Sequence, residues 1–175
     1  GLAHDVVLSL AETRPGTIWA GTPGGLNRIE NGSITRYTTA NGLPHNVVFA
    51  LTTGYDGTLW IGTNAGVAAY RDGTFSTPGD TTAASLAFVA TLHEDARHRL
   101  WIGTLGNGLY RLEDGQLTRI PGLRSDVVLD VHSDRSGNVW VGTSEGGLSL
   151  ITDGDVTTFT TADGLYSDNV YQILE

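Results

Sequence analysis

The sequence contains no cysteine. That excludes disulfides, thiolate metal sites and cysteine nucleophiles, and it fits an oxidising compartment as well as a reducing one. No apolar run approaches the ~18 residues of a membrane span, and no signal-peptide pattern opens the chain, so direct membrane insertion is not expected. No segment carries a helical period. Basic residues are scarce: Lys and Arg number 10 against 19 Asp and Glu, and the net charge of −9 argues against a general attraction to nucleic acid. Nucleophile elbow, P-loop, dinucleotide fingerprint and two-histidine zinc spacing are all missing. What is plentiful is glycine, 24 of 175 residues, together with threonine. Such a composition favours short strands and tight turns in a chain long enough for a sizeable core.

One pentapeptide occurs four times, as IWAGT at 18–22, LWIGT at 59–63 and 100–104, and VWVGT at 139–143. Its tryptophans, Trp19, Trp60, Trp101 and Trp140, are the only ones in the chain and stand 41, 41 and 39 residues apart. Self-similarity at this period means a repeat architecture, and the length suits four strands with their turns, the blade of a β-propeller. An apolar segment precedes each Trp strand, at 6–10, 47–51, 88–92 and 127–131. Gly16, Gly57 and Gly137 stand three residues before a Trp, where the third repeat has His98. A third strand ends at Asn31-Gly32, Asp72-Gly73, Asp114-Gly115 and Asp153-Gly154, pairs that suit hairpin turns because both residues tolerate positive φ. A Thr-rich fourth strand closes each unit.

The expected fold is all-β: a propeller with four complete four-stranded blades, about 1–41, 42–83, 84–121 and 122–163, running from inner to outer strand. The first strands are apolar on successive residues because both faces of a blade press on neighbours. The four tryptophans are expected as structural core between blades. Loops between units read NGLPHN at 41–46, PGLRSD at 121–126 and DGLYSD at 163–168, while PGDTTAAS at 78–85 is irregular. Residues 164–175 restart the unit, Asp168 matching Asn46 and Val170 matching Val48, so the first strand of a fifth blade is expected there. The chain then reads as a fragment of a larger propeller with more blades on both sides. Open edges and apolar faces of this kind favour self-association, two copies giving an eight-bladed assembly.

The pattern GLP-x-N-x-V-x-x-L, D-x-x-G-x-L-W-I-G-T, G-L-x-R-Y resembles the two-component regulator propeller repeat. Residues 42–51, 56–63 and 66–75 match it best, and the third unit departs from it in lacking the Gly-Leu loop and the turn glycine. The resemblance implies an extracytoplasmic, periplasmic sensor region of a bacterial inner-membrane receptor, with a β-sandwich, a membrane span and a kinase or cyclase output further along. It also implies oligosaccharide or other small-molecule ligands for many members, and other blades of the same receptor as partners.

Candidate ligand-binding residues cluster in the inter-unit loops: His4, Asp5, His45, Asn46, Arg124, Asp126, Tyr166 and Asp168, on the face where propellers usually bind ligands. His93 and His132 match each other at the exit of the first strand and are expected as hydrogen-bonded structure. Asp130 is expected to line a solvated central channel, with a bound cation as the alternative. Asp134 to Asn138 has a weak likeness to a calcium loop and is taken as an ordinary turn. No catalytic residue, metal site or cofactor is expected. Two alternatives to a sensor remain. One is a propeller lyase or hydrolase similar to the streptogramin lyases, for which Glu12, Glu94 and Glu145 are scattered over different turns. The other is a set of spacer blades without a ligand of their own.

Overall fold

A computed structural model describes residues 1–79 and 86–174, so all but the first two residues of the irregular 78–85 crossing lie outside the described residues. The described residues fold into four antiparallel sheets of four strands, each a simple meander. The first blade comprises β1 (Ser9–Arg14), β2 (Thr17–Thr22), β3 (Gly25–Glu30) and β4 (Ser33–Tyr37). The second comprises β5 (Val48–Thr53), β6 (Leu59–Thr63), β7 (Gly66–Arg71) and β8 (Thr74–Ser76). The third has β9 (Val89–Glu94), β10 (Leu100–Thr104), β11 (Leu109–Glu113) and β12 (Gln116–Ile120). The fourth has β13 (Val128–Ser133), β14 (Val139–Thr143), β15 (Leu148–Thr152) and β16 (Asp155–Phe159). β1, β5, β9 and β13 pack successively on one another, which makes the first strand of each blade the inner one. All-β propeller architecture, as read from the repeat, is what the chain adopts.

The hairpins between third and fourth strands have positive φ at both central residues, for example Asp72 at 49° and Gly73 at 87°, the primed turn that follows strand twist. His98 takes φ 60° where its counterparts Gly16, Gly57 and Gly137 take 83–84°, so the third blade keeps the turn without the glycine.

The first strands begin later than the apolar segments do. They start at Ser9, Val48, Val89 and Val128 and run on to residues 14, 53, 94 and 133. In the last three blades the ladder slips by one residue next to the Gly-Thr pair: Val48 faces Thr63, yet Ala50 faces Gly62. The same slip separates Val89 from Thr91 and Val128 from Asp130. This bulge bends the inner strand where it meets the preceding blade.

That meeting point explains the Gly-Thr pair. A Cβ placed on Gly62 would lie 2.6 Å from Val89 Cγ1, and one on Gly103 would lie 2.6 Å from Val128 Cγ1. Gly21 faces Val48 in the same way at 2.7 Å. Each glycine is thus a seat for the first-strand valine of the next blade, and Val48, Val89 and Val128 have no exposed surface. The threonine beside it is buried and donates its hydroxyl to a carbonyl of the following turn, at 2.7 to 2.9 Å in all four blades.

Residues 164–174, expected within the first strand of a fifth blade, are laddered to no strand among the described residues. A strand requires a ladder partner, and the described residues contain no second strand for it to pair with. The segment nevertheless lies on the fourth blade, Val170 donating its N–H to the Thr143 carbonyl at 3.0 Å.

Candidate functional site

Meander topology gives the array two rims. One carries the loops between blades and the turns after each Gly-Thr pair; the other carries the turns joining first to second and third to fourth strands.

The loop rim is built from repeated local locks. Thr38 and Thr160 each cap a single 3-10 turn, Thr39–Asn41 and Thr161–Asp163, through reciprocal bonds with Asn41 and Asp163. Asn46 Oδ1 then accepts from Thr39 N at 2.9 Å, and Asp168 Oδ1 from Thr161 N at 2.6 Å. His45 Nδ1 accepts from Val47 N at 3.0 Å, and His4 Nδ1 from Val6 N at 2.9 Å. Ser125 and Ser167, at the same repeat position, use their hydroxyls for the same two-residue bond at 3.2 and 3.1 Å. Histidine and serine are interchangeable there because each offers an acceptor at the reach the turn requires. Asp126 accepts from Arg119 Nη2 at 2.5 Å. Five of the eight sequence-selected residues, His4, His45, Asn46, Asp126 and Asp168, therefore hold loops in shape. Asp5, Arg124 and Tyr166 are exposed, Tyr166 completely.

Three clefts lie at the other rim, and none of the eight residues lines them. A 440 Å³ cleft opens between the first and second blades beside Arg14, Arg28, Trp19, Tyr70 and Arg71. Clefts of 400 and 480 Å³ flank the Asp134–Gly137 turn between the third and fourth blades. All ten basic residues of the chain are arginines, and seven of them border these three clefts: Arg14, Arg28, Arg71, Arg97, Arg99, Arg111 and Arg135. Several are already paired: Arg14 and Arg28 with Glu30, Arg71 with Asp56, and Arg99 with Asp95 at 2.7 Å. The sequence signal was present in the alternation of arginine with turn carboxylates, but no single motif marked it.

At this rim a turn carboxylate organises the Trp of the third and fourth blades, where the first blade uses the Thr13 hydroxyl, which accepts from Trp19 Nε1 at 3.0 Å. Asp95, 2% exposed, accepts from Arg97 N, Arg99 N, Arg99 Nε and Trp101 Nε1. Burial alone would raise its pKa, yet the bonds from Trp101, Arg99 and Arg97 together outweigh it and hold the carboxyl below its usual range. Asp134 does the same for Ser136 N, Asn138 N, Asn138 Nδ2 and Trp140 Nε1, with the Asn138 side chain the largest contributor to its lowered pKa. The Asp134 loop is a turn lock, and among the described residues no group of three or more His, Cys, Asp or Glu is placed to hold a metal ion. In the second blade this position is Gly54, and Trp60 Nε1 instead donates to Glu94 Oε2 of the third blade at 2.5 Å. Glu94 also accepts from Tyr55 N at 3.3 Å.

Asp130 braces inner strands: Oδ1 accepts from Thr91 Oγ1 at 3.3 Å and Oδ2 from Ile173 N at 2.7 Å. His93 Nε2 accepts from Ser133 N at 3.0 Å and lies 2.7 Å from Ser133 Oγ, with the His132 ring 5.3 Å away. This nitrogen must be unprotonated. Burial first, and then the charge of a neighbouring His132, push His93 below the usual imidazole range, against the opposite pull of Asp95, Asp130 and Glu94. The unfolded chain therefore takes up this proton first. Stability from His93 is complete above about pH 6.5 and declines as the pH falls below it. Urea denaturation at pH 7.5 and 5.5 is expected to show this loss, and His93→Gln to flatten it.

Four four-stranded meanders stacked through their inner strands define a β-propeller. The sequence model of the two component regulator propeller matches residues 1–24, 42–65 and 122–145. Three segments of the chain, in its first, second and fourth blades, thus resemble the two component regulator propeller repeat. It is similar to the extracellular domain of a protein of Bacteroides thetaiotaomicron described as a hybrid two component system, at 25% identity and TM-score 0.79 over 96% of this chain and 24% of the other. A second such extracellular domain from that organism gives 24% identity and TM-score 0.80 over 94% and 24%. Virginiamycin B lyase from Staphylococcus aureus shares the fold at 18% identity and TM-score 0.69, over 87% and 55%. The chain spans about a quarter of the length of the two extracellular domains. No curated protein sequence matches it.

Proposed function

We propose that these blades are part of the extracytoplasmic sensor region of a bacterial two-component receptor, acting by binding and by passing on altered geometry without turnover of the ligand. The observation that carries the reading is the threefold repeat match combined with superposition of nearly the whole chain on an extracellular receptor domain. No helix among the described residues is long and apolar enough to cross a membrane, so on this reading the anchor is another part of the receptor.

A small molecule or oligosaccharide on the loop rim is the ligand class in this proposal. Arg124 and Tyr166 are its contacts, since both are exposed and offer a planar donor set and an aromatic face, a pairing suited to hydroxyl-rich or carboxylated sugars. His45, Asn46, Asp126 and Asp168 shape the rim behind them. Screening the purified chain against an oligosaccharide array is expected to give hits that Arg124→Ala and Tyr166→Ala weaken by about tenfold each, a loss of about 1.4 kcal/mol. Hits unaffected by both variants would remove the loop rim from the proposal. Product formation from any hit would overturn the non-catalytic reading.

One observation favours a second reading, in which these blades space other blades of the receptor: most of the loop-rim candidates are consumed in holding their own loops. An empty array screen, together with a full receptor that responds normally when carrying both substitutions, would select it.

A further inference from the structure

We infer that the cleft between the third and fourth blades, bordered by Tyr55 of the second, binds a small ring-bearing carboxylate, on the rim opposite Arg124 and Tyr166.

Three turns meet at this cleft, each joining the first strand of its blade to the second. Five residues before the Trp they carry Tyr55, Ala96 and Arg135. All three line the 400 Å³ cleft, and the small side chain falls on the middle blade, between the two large ones.

The two carboxylates that line it are already occupied. Asp95 accepts four hydrogen bonds, from Arg97 N, Arg99 N, Arg99 Nε and Trp101 Nε1. Asp134 likewise accepts four, from its own turn and Trp140. His93 adds no charge, because its Nε2 accepts from Ser133 N. The three arginines are not equally engaged. Arg99 is bound to Asp95, and Arg135 is exposed at the cleft edge. Arg97 stands where the second blade has Asp56 and the fourth has Ser136, four residues before the Trp. Its guanidinium is exposed and makes no hydrogen bond or ion pair among the described residues. An unanswered guanidinium in a concave site is a receptor for a planar carboxylate, which its fork can meet with two hydrogen bonds.

The neighbouring junctions supply their anions from within. Between the second and third blades, the Glu94 carboxylate crosses to Trp60 Nε1 and Tyr55 N. The fourth blade has Ser133 at the position of Glu94, seven residues before the Trp, so no carboxylate crosses from it to the third. Between the first and second blades, Arg14 and Arg28 are paired with Glu30, and Arg71 with Asp56. The ring requirement comes from Tyr55. It is 67% exposed, and the His98 ring stands edge-on to it at 5.5 Å, which leaves a ligand ring room to pack on its accessible surface. An aromatic wall with a few convergent polar groups is the usual make-up of a small-molecule site.

The four indole N–H signals of the chain make the test direct, because Trp101 and Trp140 are bonded to the carboxylates beneath the cleft and Trp19 is not. Titrating the full chain with benzoate is expected to shift the Trp101 and Trp140 signals saturably and to leave Trp19 in place. Arg97→Gln and Tyr55→Ala are each expected to weaken binding about tenfold, the scale of one charge-assisted hydrogen bond or one ring contact. Both side chains are exposed, and an unchanged Trp19 signal reports that the variants fold. Arg124→Ala combined with Tyr166→Ala is expected to leave the titration unchanged, which separates this site from the loop rim. The absence of a saturable shift overturns the proposal, as does binding indifferent to both Arg97→Gln and Tyr55→Ala. Benzyl alcohol binding as tightly as benzoate removes the carboxylate and overturns it. Inorganic phosphate binding as tightly removes the ring and overturns it equally.

Discussion

Gly103→Ala is expected to destabilise the array by about 3 kcal/mol, at the upper end for overpacking a filled site. The new methyl group would stand 2.5 Å from Thr91 Cγ2 and 2.6 Å from Val128 Cγ1, one in its own blade and one in the next. Neither neighbour can withdraw. Thr91 belongs to the inner strand laddered to Gly103 itself, and Val128 is wholly buried with a backbone fixed opposite Thr143. The strain therefore has to be relieved by parting the third and fourth blades. Chemical denaturation of single and paired variants provides the check. Val128→Ala alone costs about 2 kcal/mol through the cavity it leaves. Combined with Gly103→Ala it is expected to cost at least about 1 kcal/mol less than the sum of the two, because each change makes room for the other. Strict additivity would mean that the glycine is retained for some other reason.

Asp95→Ala is expected to cost about 3–5 kcal/mol, the range for removing one partner of a buried ion pair. Four donors converge on this carboxylate, and two of them, Trp101 Nε1 and Arg99 Nε, belong to side chains with little access to water. Substitution leaves the Arg99 charge against the Trp101 ring, 5.3 Å from its centroid, with its counter-charge gone. The pH dependence has a fixed sign. Because the folded carboxyl titrates below its ordinary value near 3.8, its contribution is complete above that pH and disappears as the pH falls further. Acid unfolding monitored by tryptophan fluorescence is expected to begin at higher pH in Asp95→Asn than in the parent, since the amide keeps the shape but not the charge.

The fold was open to reading because its ruler is local. Four Trp-x-Gly-Thr strands 39 or 41 residues apart, with Asn-Gly and Asp-Gly turns beginning 12 or 13 residues after each Trp, give strand number, order and direction without knowledge of any long-range contact. The apolar segments begin one to three residues ahead of their strands, Val6 before β1 and Val47 before β5, because a strand starts only where its backbone pairs. Hydrophobicity records burial, whereas a strand boundary depends on pairing. In the last segment Val170 and Ile173 carry the first-strand pattern, but a pattern by itself supplies no ladder partner. The rims were harder still. Equivalence of His4 and His45 with Ser125 and Ser167 was visible in the alignment of repeats. Its reason, a shared acceptor for the N–H two residues on, requires backbone geometry. The arginine-bordered clefts escaped because their walls come from separate blades, with residues some forty positions apart meeting only in the assembled array.

Glu94 gives the array an address. An array of independent blades would behave as beads on a string, each turn carrying its own carboxylate for its own tryptophan, as the third and fourth blades do. The second blade has Gly54 at that point, and a Cβ there would press on the Glu94 side chain that fills the gap from next door. In the language of nearest-neighbour models, part of the second blade's intrinsic stability has been moved into its coupling with the third. Those two blades are therefore committed to each other in a way that no shared consensus requires. Shuffling the repeats, or cutting between residues 79 and 86, would strand a tryptophan N–H that its own blade cannot satisfy.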